Sequence, residues 1–162
     1  MPKIELIQGD CLEKMKDIPD GSIDLVLTDP PYNIKKADWD TWKCEHQYAE
    51  WLVGIFALVR KKMKDNGSFY FFHNDFIQIV NIQNLISGKT DLVFKQLITW
   101  NKISEAFKNH GYVQQRLRID MMRNYYNGFT EYILYYTLQD ETGLSQVMLD
   151  VNNFPTLREY FR

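Results

Sequence analysis

Ile23-Asp24-Leu25-Val26-Leu27-Thr28-Asp29-Pro30-Pro31-Tyr32 is the stretch whose reading decides the fold. Its first half is an apolar run that reads as a buried strand. Its second half places an acid, two rigid rings and an aromatic side chain at that strand's carboxyl end. Proline fixes its own φ and restrains the residue before it, so Asp29 and the Pro30 carbonyl are aimed in advance. Together they form a pocket for a planar base that carries an amine.

Working outward, the chain alternates strand and helix signals. Lys3 to Gln8 reads as a short strand ending at Gly9-Asp10, and Cys11 to Lys16 as a helix stopped by Pro19-Asp20-Gly21. Asn33 to His46 is polar, with Trp39 and Trp42 interleaved, and its place after the strand makes it a lid candidate. Tyr48 to Lys64 carries an apolar stripe at helical spacing and is closed by Asp65-Asn66-Gly67. Ser68 to Phe72 reads as a second buried strand, and Phe76 to Ile86 as a helix. Leu92 to Trp100 and Phe129 to Leu138 are β-branched and aromatic runs, expected to form a hairpin-like pair around a long insertion, 101–128. This rhythm predicts an α/β layer.

With 162 residues, 45% hydrophobic and 25% charged, the chain suits one compact unit. Cys11 and Cys44 lack metal-ligand spacing, which favours a reducing cytoplasm over a disulfide framework, and no metal constellation is present. No apolar run approaches membrane-spanning length. The net charge of −2 requires any nucleic-acid contact to come from a local patch. Between Lys95 and Arg123, three lysines and three arginines face one glutamate and one aspartate, a net +4. Lys102, Arg116, Arg118 and Arg123 in that segment are candidate phosphate contacts, and a solvated charged face is the alternative.

The pocket's chemistry follows from its residues. An exocyclic amine is a poor nucleophile because its lone pair is delocalised into the ring. Acceptors that hold its hydrogens favour the tetrahedral nitrogen, and Asp29 and the Pro30 carbonyl can take one hydrogen each. Tyr32 offers a face for a flipped base, worth roughly 1–3 kcal/mol by analogy with single-strand stacking platforms. A turn acid and a core aromatic are the structural alternatives for Asp29 and Tyr32. His73, at a strand end, is expected to be structural rather than a substrate contact.

Gly9-Asp10-Cys11-Leu12 followed by Ile23 to Asn33 resembles the amino-terminal half of the DNA amino-methyltransferases, in the permuted group whose Asp-Pro-Pro-Tyr motif precedes the cofactor motif. Trp100-Asn101-Lys102 and Thr130 to Leu134 are similar to later signatures of that group. The resemblance implies a Rossmann-like fold, S-adenosylmethionine as methyl donor, DNA as partner and the N6 amine of adenine as acceptor, with N4 of cytosine or RNA as alternatives. By the same resemblance Asp29, Pro30, Pro31 and Tyr32 would be catalytic. Asp10, Cys11 and Asp29 would contact the cofactor, Asp10 also serving as a helix cap. Asn33 and Trp39 join the basic residues as candidate nucleic-acid contacts.

The family's glycine-rich loop is missing from this sequence. Its sheet order is 3-2-1-4-5-7-6, and the chain offers segments for strands 3 to 7 but none for 1 and 2. The expectation is therefore an incomplete catalytic part over 1–138 and a polar connection over 139–162. A second chain, a further segment or self-association would complete it, and a non-catalytic DNA-binding subunit is the alternative.

Overall fold

The computed structural model describes residues 3–101 and 130–138. Four strands, β1 (Ile23–Thr28), β2 (Met63–His73), β3 (Leu92–Asn101) and β4 (Thr130–Leu138), form one sheet in the order β1-β2-β4-β3. β1 runs parallel to β2, and β4 is antiparallel to both neighbours. This order matches the 4-5-7-6 portion expected from the resemblance, and the predicted β3–β4 pair is present.

Helices α2 (Glu45–Lys62) and α3 (Phe76–Lys89) cover one face of the sheet. Their inward residues Leu52, Val53, Phe56, Ile79, Ile82 and Ile86 meet Phe69, Phe71, Leu134 and Tyr136 in a single buried core. Alternation along β2 makes this possible: Phe69, Phe71 and His73 point one way, and Tyr70 and Phe72 the other. Helix α3 begins where Asp75 accepts the amides of Ile77 and Gln78, at 2.9 and 3.0 Å.

Three expectations are corrected. Lys3–Gln8 forms no strand; the neighbour it would need, strand 2, has no counterpart among the described residues, so its backbone has no ladder to join. Asp65-Asn66-Gly67 does not stop a helix in a loop, because α2 passes directly into β2 at Met63. The extra residues are absorbed as a register irregularity between Ile23↔Met63 and Leu25↔Ser68. Gly67 is required there, since a Cβ would lie 2.9 Å from the Lys64 carbonyl oxygen and 3.2 Å from that of Ile23. Finally, β1 is exposed rather than buried, with Leu25 57% and Leu27 63% exposed; among the described residues it lies at the sheet's edge, as the missing strands 1 and 2 imply. The insertion 102–128 and the connection 139–162 lie outside the described residues.

Candidate active site

At the end of β1 the chain leaves the sheet as Asp29-Pro30-Pro31-Tyr32 and turns back on itself. The Tyr32 hydroxyl donates to Asp29 Oδ1 at 2.5 Å. Burial, reinforced by this bond and the carboxylate's charge, pushes the Tyr32 phenol well above its ordinary pKa, so it stays a donor. The ring of Tyr32 lies 4.9 Å from that of His73, centroid to centroid.

The rest of the turn is tied down from behind. Tyr48 of α2 donates its hydroxyl to the Pro31 carbonyl at 2.6 Å, and Gln78 Nε2 of α3 donates to the Tyr32 carbonyl at 3.2 Å. The Pro30 carbonyl has no donor among the described residues. Asn33 follows at φ 56° and Lys35 at φ 59°, both left-handed. That conformation turns successive amides inward, and the buried Asp40 carboxylate accepts those of Asn33 (2.8 Å), Ile34 (3.2 Å) and Lys36 (3.3 Å).

Two clefts share the Asp29-Pro30-Pro31 wall. The smaller, about 270 Å³, adds Tyr32, Ile34, Lys36, Trp39 and Asp40. The larger, about 620 Å³, is mostly apolar and is lined by Asp10, Cys11 and Met15 together with Val26, Trp51, Ile55 and Val59. Asp10 caps the short helix α1 (Cys11–Lys14), accepting the Leu12 amide at 2.8 Å through Oδ1. Its second oxygen has no donor among the described residues.

The structure thus brings Asp10, Cys11, Asp29, Pro30, Pro31, Tyr32 and Trp39 to one end of the sheet. Trp39 stands 68% exposed at the rim of the smaller cleft, whereas Trp42 packs against Tyr48 and Trp51. The side chain of Asn33, a candidate nucleic-acid contact, accepts the Trp42 amide at 3.2 Å and donates to Gln78 at 3.3 Å within the loop. Lys102, Arg116, Arg118 and Arg123 lie outside the described residues.

His73 is buried and satisfied, as expected of a structural histidine: Nδ1 accepts the Asp75 amide and Nε2 meets the Tyr48 hydroxyl, each at 3.0 Å. Burial drives its pKa down to about 4 against the opposing pull of Asp75 and Asp29. Tyr48, Gln78 and Asp40 were not legible as parts of the site. Each sits 4 to 46 residues from its backbone partners, and the only sequence signal is a polar group within an apolar stripe or a loop.

A family model described as DNA methylase matches residues 23–159. DNA adenine methyltransferase YhdJ of Escherichia coli (strain K12) is 29% identical over 161 residues, covering 93% of this chain and 51% of the relative. Among solved structures, the cytosine-N4-specific PvuII DNA methyltransferase superposes with a TM-score of 0.62 at 18% identity, covering 90% of this chain and 51% of the other. The M1.HpyAVI–SAM complex superposes with a TM-score of 0.50 at 21% identity, covering 82% and 53%. These likenesses show the fold to be the Rossmann-like methyltransferase α/β fold, in part. The chain spans about half the length, or less, of curated relatives that it matches. A match across most of its residues, which takes in the Asp29–Tyr32 strand end, places this chain in the DNA methylase family of N6-adenine and N4-cytosine amino-methyltransferases.

Proposed function

We propose that this chain supplies the base-binding half of a site that transfers a methyl group from S-adenosylmethionine to the N6 amine of adenine in DNA. The observation that carries this reading is the pair of acceptors at one wall shared by two clefts: Asp29, with one carboxylate oxygen bonded to Tyr32, and the Pro30 carbonyl, with no donor among the described residues. A flipped base fits the smaller cleft, with Tyr32 and Trp39 as stacking surfaces. Its amine then donates one hydrogen to Asp29 and one to Pro30, which concentrates the lone pair on nitrogen.

The larger cleft suits the methyl donor. Its apolar wall fits a purine ring, and the Asp10 carboxylate at the rim keeps one oxygen open. When bound there, S-adenosylmethionine supplies an electrophilic methyl carbon on sulfur. With the donor in place the amine nitrogen would take the methyl carbon, the C–S electron pair staying with sulfur, and Asp29 would pass the surplus N–H proton to solvent. The same acceptors suit N4 of cytosine, and the cytosine-specific PvuII likeness supports that second reading.

The test is methyl transfer to duplex DNA with Asp29→Ala and Tyr32→Ala, in this chain and in assemblies that supply the remainder of the fold. Loss of at least 100-fold with Asp29→Ala is expected, and labelled product at N6 or N4 identifies the base. Undiminished transfer by Asp29→Ala would remove the catalytic assignment and leave a DNA-binding role.

A further inference from the structure

The Pro30-Pro31 turn retains few soft torsions, and the structure provides for the last of them. Both rings lock φ, and the peptide bonds are trans. What remains is rotation about ψ, which swings each carbonyl. At Pro31 that carbonyl is held by a hydrogen-bonded series that starts at the mouth of α3. The Asp75 amide donates to His73 Nδ1, so this nitrogen carries no proton, and the neutral ring must carry its hydrogen on Nε2. Nε2 then donates to the Tyr48 oxygen at 3.0 Å, which leaves the Tyr48 hydrogen no role but the Pro31 carbonyl at 2.6 Å.

We propose that His73 and Tyr48 are positioning residues: by fixing the direction of the Tyr48 hydroxyl they hold the Pro31 carbonyl, and with it the conformation of the Asp29–Tyr32 turn. This rests on the reading of that turn as the amine-binding wall. Both groups keep the required protonation across ordinary pH, since burial lowers His73 to about 4 and raises Tyr48. The same histidine ring lies against Tyr32, so one buried side chain serves the turn at two points, by a hydrogen bond through Tyr48 and by ring contact. Neither residue lines either cleft, which separates positioning from contact with a substrate.

The test uses Tyr48→Phe, which removes one oxygen and keeps the ring against Trp42 and Trp51. In isotope-labelled whole chain, wild-type His73 is expected to show the Nε2–H tautomer by nitrogen shifts. Tyr48→Phe is expected to broaden or split the backbone signals of residues 29–33 while core signals stay single. Sharp, single signals throughout 29–33 in the variant, or an Nδ1–H tautomer in the wild type, would overturn the proposal whether or not the chain transfers methyl groups. In an active assembly, kcat should fall roughly tenfold with KM for both substrates within about twofold. A change confined to KM would also overturn it. Should Tyr48→Phe fail to fold, His73→Gln and His73→Leu make the same comparison. Glutamine can return an N–H to the Nε2 position and should restore the 29–33 signals, whereas leucine should not. Loss of transfer in Asp29→Ala tests the reading of the turn separately.

Discussion

The two faces of the sheet are built from similar residues and meet different fates. On the covered face Phe69, Phe71, Leu134 and Tyr136 are at most 1% exposed beneath α2 and α3. On the other face Leu25 is 57% and Trp100 47% exposed, Tyr70 stacks on Tyr135 with centroids 4.4 Å apart, and Phe72 meets Trp100 edge-on at 6.1 Å. No described helix packs there. The aromatic rings of the second face cover one another instead, which recovers part of the burial that a helix would provide. Apolar composition therefore reports where a surface tends to be covered, and the covering element itself decides how much stability follows.

Three measurements sharpen this contrast. Phe71→Ala removes a ring from the covered face and should cost about 3–5 kcal/mol in chemical denaturation. A loss under about 1 kcal/mol would mean that the core is far looser than its burial implies.

The next effect follows from the acid side of the same face. His73 has a folded pKa of about 4 against an ordinary 6.5, so between those values the unfolded chain binds more protons than the folded one. Its contribution is full above about pH 6.5 and is lost as pH falls toward 4, amounting to roughly 3 kcal/mol. Urea midpoints measured from pH 7 to pH 4 should decline more steeply for the wild type than for His73→Gln. Parallel curves would show that the histidine titrates freely.

On the open face Leu25→Ser should cost less than about 1 kcal/mol, because more than half of the side chain already meets water. A cost resembling that of Phe71→Ala would show that Leu25 is covered in solution, and sedimentation would identify whether a second copy is the cover.

The same contrast explains what could be read from the sequence. Helix positions came from periodicity and strand positions from apolar, β-branched and aromatic runs: α2, α3, β1, β3 and β4 lie close to the predicted spans, whereas β2 begins at Met63, five residues before the expected Ser68. Lys3–Gln8 has a strand-like composition and fails to pair, since pairing depends on a neighbour that composition cannot supply. At the site, Asp29 to Tyr32 were legible because they are contiguous. The supporting groups were not: Tyr48 reads as one more large side chain in a helical stripe, and Gln78 as a polar position on α3, until the fold sets them beside carbonyls 17 and 46 residues away.

The Asp40 carboxylate has a consequence for how this loop can change. It grips backbone amides of Asn33, Ile34 and Lys36, not their side chains, so the loop's path is set independently of what those residues display. Ile34, Lys36 and Trp39 all face the smaller cleft. The arrangement works as a mounting frame with exchangeable fittings: the cleft's lining can be rewritten one side chain at a time while the frame keeps its shape, which gives evolution, or a designer, a route to a different cleft surface without rebuilding the strand end.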